Sequence, residues 1–214
     1  MNVADLWLPA PRAGTMVAGG FDGSENDDWT AIKLETRSGM IFTPRYGPER
    51  RPTIWNPAEW GGEIPRSEVD LAWEELAKRY RLVRIYCDPG FRDEMSWETD
   101  IERWATKHGK KIFLPWQMSG STRTNAVYQA LRRFEADLKA GRITHDGCPL
   151  TTTHMANARK VAKPAERYVL GKPEQHQKID LAVTSVLAHE AAADVHAAGW
   201  PRSSHVYTSS STRR

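Results

Sequence analysis

At 214 residues, with 40% hydrophobic and 27% charged residues, the chain has the composition of an ordinary folded domain, which excludes wholesale disorder and a membrane-embedded class. A formal net charge of +3 is too small to establish an anionic partner by itself. Cys87 and Cys148 lie far apart without a Cys-x-x-Cys pattern, so they are expected to be reduced, partly buried thiols rather than a disulfide or a zinc knuckle. The sequence has no long uncharged apolar run and no basic-then-apolar leader, and a cytoplasmic protein without membrane association is expected.

In chain order, residues 1–15 read as a linker, broken by Pro9, Pro11 and Gly14, with Leu6, Trp7 and Leu8 placed to dock on a surface. Met16 to Phe21 is a short strand. Trp29 to Glu35 alternates apolar and polar residues, and with Met40 to Thr43 it completes a three-stranded meander. Residues 44–66 are rich in Pro and Gly around Trp55 and Trp60 and predict a long loop or flap, a length that in a compact domain is usually functional. Ser67 opens a helix through a Ser-x-x-Asp pattern to Asp70, with Val69, Ala72, Trp73, Leu76 and Tyr80 on one face.

Leu82 to Cys87 is a second apolar strand, followed by an amphipathic helix through Trp97, Ile101, Trp104 and Ala105 that Gly109 stops. Lys111 to Leu114 is a short strand. Val127, Ala130, Leu131, Phe134 and Leu138 mark a third helix ending at Gly141. An irregular stretch with His145, Asp146, His154 and Asn157 precedes an alanine-rich helix from about Ile179 to Ala197. The Ser/Thr/Arg-rich segment from Pro201 to Arg214 predicts a disordered tail, leaving 16–200 as the folded domain. Strands in a run, then strands alternating with helices, indicate an α/β protein with a mixed central sheet flanked by helices.

Three aspartates stand where such a fold places chemistry. Asp22 follows the first strand and Asp88 the second apolar strand, both at carboxyl ends, where an open α/β sheet offers a cleft. Asp180 starts the last helix on the side of Val183, Leu187 and Ala191, where an ionised acid is costly unless paired or metal-bound. Each has a plainer reading: Asp22-Gly23 and Asp88-Pro89 are turn dipeptides, and Asp180 suits an N-cap or first helical turn and has Lys178 nearby as a partner. Together they match a carboxylate metal site drawn from distant segments, which points to nuclease chemistry. Glu25, Asp27 and Asp28 either support the site or solvate the loop, and the loop role is the one expected. Arg45, Arg50 and Arg51, Lys107, Lys110 and Lys111, Arg132 and Arg133, and Arg159, Lys160 and Lys163 form basic groups suited to phosphate neutralisation if they share a face, or to solvated helix faces and loop tips if they do not. The sequence contains no Gly-x-Ser-x-Gly elbow, no phosphate-binding loop and no His-Glu-x-x-His pair.

Gly19-Gly20-Phe21-Asp22-Gly23-Ser24 with Asp28-Trp29-Thr30-Ala31, Arg84-Ile85-Tyr86-Cys87-Asp88-Pro89, His154-Met155-Ala156-Asn157-Ala158 and Lys178-Ile179-Asp180-Leu181-Ala182, in this order, resemble the nuclease domain of tailed-bacteriophage terminase large subunits over roughly residues 5–198. The resemblance implies an RNase H-like fold and carries that family's three metal-binding acids onto Asp22, Asp88 and Asp180. It further implies hydrolysis of double-stranded DNA without sequence preference through two Mg²⁺ or Mn²⁺ ions about 4 Å apart. Asp22 is expected to bridge the ions, with basic residues of 44–66 and around Lys160 holding the DNA backbone. The expected role is cutting of concatemeric viral genomes in the host cytoplasm, with the subunit's own ATPase domain, the small terminase subunit and the portal as partners. That ATPase motor is missing here, so residues 1–15 are expected to be a remnant of the linker to it in an excised domain, with a naturally separate nuclease as the alternative. Other RNase H-like enzymes such as junction resolvases, and a non-catalytic module docking motor to portal, are the competing readings.

Overall fold

The computed structural model describes residues 9–23, 28–90, 96–174 and 176–202. In chain order the elements are β1 (Met16–Asp22), β2 (Thr30–Thr36), β3 (Met40–Phe42), β4 (Arg45–Tyr46), β5 (Arg51–Pro52), β6 (Ile54–Trp55), α1 (Arg66–Arg79), β7 (Arg81–Asp88), α2 (Glu98–His108), β8 (Phe113–Pro115), α3 (Thr124–Lys139), β9 (Thr144–His145), α4 (Pro149–Asn157), β10 (Arg159–Lys163), β11 (Arg167–Gly171) and α5 (Asp180–Ala198). The main sheet runs β8-β7-β1-β2-β3-β9, with β6 also paired to β2. β1, β7 and β8 are parallel neighbours, β1-β2-β3 is the expected antiparallel meander, and β9 returns parallel to β3. The sheet is therefore mixed, as the order of elements predicts.

Strand alternation decides which side each residue faces. Val17 and Phe21 of β1, Ile32 and Leu34 of β2, and Ile85 and Cys87 of β7 join α1 and α2 in one core, filled by Trp73, Trp97, Trp104 and Phe113. Phe21 sits edge-on to Trp97 and Trp104, at centroid distances of 5.2 and 5.0 Å. The alternate residues Ala18 and Tyr86 pack instead with Leu187, Ala191 and Ala192 of α5. By the same alternation the strand-end residues Asp22 and Asp88 belong to the α5 side of the sheet. Gly20 makes the seat of that helix: a Cβ there would lie 2.4 Å from the Thr184 carbonyl oxygen and 2.7 Å from the Ala188 nitrogen, so only glycine lets the backbone of α5 rest on β1.

Four expectations are corrected. Residues 44–66 do not form a loose flap: Tyr46, Trp55 and Ile64 are buried, Trp55 Nε1 donates to Tyr46 Oη at 2.9 Å, and β4, β5, β6 and a 3-10 turn at Pro57–Trp60 pin the segment to the core. The helix after it has Pro65, not Ser67, at its N-cap and no side-chain cap, since proline offers no side-chain acceptor, and Asp70 is taken by Arg103 and by Trp104 Nε1 at 2.7 Å. The strand expected at Lys111 to Leu114 is displaced to Phe113–Pro115. The stretch around His145 to Asn157 is not irregular, since it holds α4 and leads into the β10-β11 hairpin.

Cys87 and Cys148 are free and buried, as expected. Of the expected linker, residues 1–8 lie outside the described residues. The rest is laid along the domain, where Gly14 N–H donates to the Arg79 carbonyl at 2.7 Å and Ala10 packs on the main core. The expected tail lies, from residue 203 onward, outside the described residues. Among the described residues no helix is long and apolar enough to cross a membrane.

Candidate active site

Asp22 and Asp88 are register partners on adjacent parallel strands, so their backbones end side by side. Asp180 is the first residue of α5, which Gly20 seats directly over β1. All three line one open cavity of about 610 Å³, whose walls also include Asp28, Lys172 and Met118. The sheet ends and the helix start thus share one space. Among the described residues, however, no group of three or more His, Cys, Asp and Glu side chains forms that could hold a metal ion as those side chains stand. The carboxylates face the same space without converging on one point, in keeping with mutual repulsion among anions and with the hydrogen bonds that hold them.

Each acid is held differently. Asp88 is buried, its Oδ1 accepting from Gly90 N–H at 3.2 Å and its Oδ2 from Met118 N–H at 3.1 Å. Burial, and after it the charges of Asp88, Asp180 and Asp28, push the Asp22 carboxyl well above the usual range. Burial and then the Asp28 charge raise Asp180 to about 6, against the opposing pull of backbone N–H groups of Asp180 and Trp29. Asp180 Oδ2 is buried and has no hydrogen-bond partner among the described residues. A buried oxygen of that kind is costly in bare protein.

His154 Nδ1 lies 3.9 Å from that oxygen, yet the two form no ion pair. Nδ1 accepts from Leu181 N–H at 3.2 Å, so the ring is neutral on that side, and burial with the nearby Lys33 and Lys178 charges lowers its pKa to about 4. His154 therefore caps α5 from another helix, supplying the acceptor that Ile179 at the N-cap lacks. Asn157 Nδ2 donates to the Lys178 carbonyl at 3.0 Å and anchors the chain entering α5. The His154 and Asn157 side chains thus hold the start of α5, where Asp180 stands.

Asp28 corrects the expectation of a loop acid. Its Oδ1 accepts from Lys172 Nζ at 2.8 Å and Lys178 Nζ at 3.2 Å. Burial works against its charge, but the two lysines outweigh it and hold the carboxyl below its usual range. Their partnership spans 144 and 150 residues along the chain, so no local pattern reveals it. Glu25 and Asp27 lie outside the described residues.

Of the basic groups, Arg45, Arg50 and Arg51 do not line the acid cavity. Lys107 pairs with Glu74, Arg133 with Glu190 and Lys160 with Glu135. A neighbouring cavity of about 530 Å³ shares Met118, Ser119 and Leu170 with the acid cavity and carries Lys163 and Arg167 on its wall. The two make one groove from the acids to the tip of the β10-β11 hairpin.

A mixed sheet with acids at the ends of two parallel central strands and at the start of a helix crossing them defines an RNase H-like architecture. Solved structures of phage terminase nucleases share this fold. The chain superposes on the large terminase nuclease from thermophilic phage G20c with a TM-score of 0.61 at 12% identity, covering 88% of this chain and 96% of that one. The same nuclease with bound magnesium gives 0.59 at 12% identity, covering 88% and 95%. The HK97 bacteriophage large terminase gives 0.61 at 18% identity, covering 89% of this chain and 42% of that one. The chain therefore has the fold of the large-terminase nuclease domain, as its motifs lead one to expect. In sequence it is 30% identical over 192 residues to the Gene 13 protein of Mycobacterium phage D29 and 28% identical over 194 residues to that of Mycobacterium phage L5, covering 85% and 86% of this chain. It spans 30% of the length of each of those proteins. No family model matches it.

Proposed function

We propose that the chain is a divalent-metal-dependent endonuclease that hydrolyses double-stranded DNA without sequence preference, cutting the concatemeric genome of a tailed phage during packaging. Asp22, Asp88 and Asp180 are its metal ligands. The observation that carries this reading is the seating of these three carboxylates on one cavity, with one buried oxygen that has no partner among the described residues and two carboxyls raised. Such a set suits hard divalent cations, which take oxygen ligands and relieve the repulsion. The fold shared with terminase nucleases, one of them solved with bound magnesium, supports the same reading.

Bound by Asp22, Asp88 and Asp180, two Mg²⁺ or Mn²⁺ ions would supply an activated water and stabilisation of the leaving 3′ oxygen. The protein's own part is positional and electrostatic. Backbone N–H groups of Gly90 and Met118 orient Asp88, the His154 cap and Asn157 fix the entry to α5 and with it Asp180, and Asp22 stands at the strand end between them. Lys172 and Lys178 together outweigh the single Asp28 charge beside the site, and Lys163 and Arg167 meet the phosphate backbone further along the groove without reading bases. The same reading implies an ATPase motor of the subunit, a small terminase subunit and a portal as partners, and the host cytoplasm as the place of action.

Nicking of supercoiled plasmid tests this. The protein is expected to convert it to open-circular and linear forms with Mn²⁺, to lose that activity with chelator, and to lose it in folded Asp88→Ala. Unchanged cutting by that variant refutes the assignment, and a strong preference for four-way junctions over linear duplex turns it toward a resolvase.

A further inference from the structure

Asp22 and Asp88 are followed by chain that leaves the sheet, and one residue touches both exits. The Trp97 side chain is buried, and its ring lies against Gly23: a Cβ at Gly23 would stand 2.3 Å from Cδ1 and 2.6 Å from Nε1. No side chain fits between them. The backbone N–H of the same residue donates to the Pro89 carbonyl at 3.0 Å, one residue beyond Asp88. Trp97 also begins α2, where its carbonyl accepts from Ile101 N–H at 2.9 Å.

The ring is itself immobilised. Phe21 packs on it edge-on at 5.2 Å, and the Arg66 guanidinium lies over it at 4.3 Å. Arg66 in turn is held by buried Asp100, on the helix that Trp97 opens, and by the Ser96 carbonyl at 3.1 Å. A rigid indole is thus pressed against the exit of β1, while its own backbone is tied to the exit of β7.

We propose that Trp97 is a positioning residue for the carboxylates: its ring against Gly23 and its N–H on Pro89 fix the spacing of the strand ends carrying Asp22 and Asp88, and so set the site's affinity for divalent cations. This rests on the reading of those acids as metal ligands. Residues that orient ligands without touching the ion typically contribute 10- to 100-fold in affinity.

The test is Mn²⁺ binding by calorimetry, with thermal melting in parallel, on the wild-type chain and four variants. Trp97→Ala and Gly23→Ala, which respectively remove the ring and force it away, are expected to weaken Mn²⁺ binding by about tenfold or more. Trp97→Phe, which keeps an aromatic wedge and the backbone bond, is expected to stay within about threefold of wild type. Leu76→Ala, cut from the same core at α1, is expected to lower the melting temperature without changing Mn²⁺ affinity. If folded Gly23→Ala and Trp97→Ala bind Mn²⁺ as wild type does, the positioning role is overturned and the nuclease reading stands. If Leu76→Ala weakens binding as much as they do, the effect is general destabilisation and the role is likewise overturned. If the wild-type chain binds no Mn²⁺, the metal-ligand reading fails and takes this proposal with it.

Discussion

The two faces of the central sheet are built on opposite terms. Toward α1 and α2, the strands present Phe21, Ile32, Leu34 and Ile85 to a wall of tryptophans and phenylalanines. Toward α5 the alternate residues of β1 and β2 include small and charged ones: Ala18 and Gly20 admit the helix backbone, while Lys33 and Glu35 are buried and bonded, Lys33 to Thr43 at 2.6 Å and Glu35 to His189 at 3.1 Å. β2 alone carries both programmes in alternation. The comparison teaches that the aromatic face supplies stability, whereas the close-packed polar face gives up some of it to bring Asp180 beside the strand ends.

The largest effect is expected on the aromatic face. Trp73→Ala removes a fully buried ring touching Phe21, Trp104 and Phe113, and should cost about 3–5 kcal/mol of unfolding free energy in urea denaturation. On the polar face the opposite sign is expected from Asp180→Asn. The folded state binds that proton more tightly than the unfolded chain, so the group's contribution is favourable below the ordinary pKa near 3.8 and is lost as pH rises through about 6. Near neutral pH the variant should therefore be more stable than wild type by up to about 3 kcal/mol, two pKa units at about 1.4 each. Melting curves from pH 4 to 7 should show the two proteins converging at the acid end, and Mn²⁺ should raise the melting temperature of wild type more than that of the variant.

A smaller loss sharpens the account of the helix seat. Gly20→Ala puts a methyl into the α5 backbone and should destabilise by about 1–3 kcal/mol, with reduced nicking even where the protein is folded. The mildest change belongs to the groove: Lys163→Ala or Arg167→Ala should weaken duplex binding alike on all sequences and lower the slope of log affinity against log salt by about one.

How much of this is legible in the sequence follows from how local each cause is. The elements β1, β2, β3, β7, α1, α2, α3 and α5 announce themselves through apolar periodicity, and the strand-end placement of Asp22 and Asp88 follows from it. The β10-β11 hairpin escapes because every residue of β10 is exposed, which erases the alternation that marks a half-buried strand. α4 escapes because its nine residues begin at Pro149 and run through three threonines, which favour helix weakly. The Ser67 cap misleads because Asp70 is claimed by Arg103 and Trp104 on a helix about 33 residues away. Asp28 and Trp97 act through partners that only folding brings near, and no spacing rule reaches them.

The seat of α5 on Gly20 has one more consequence. Where side chains separate a helix from a sheet, rotamer changes cushion small displacements; here peptide backbone rests on peptide backbone, and the joint has no compressible layer. The height of Asp180 above the strands is accordingly a property of the main chain. On the proposed reading of these acids as metal ligands, cations of different radius would have to be met by torsions of the aspartates themselves.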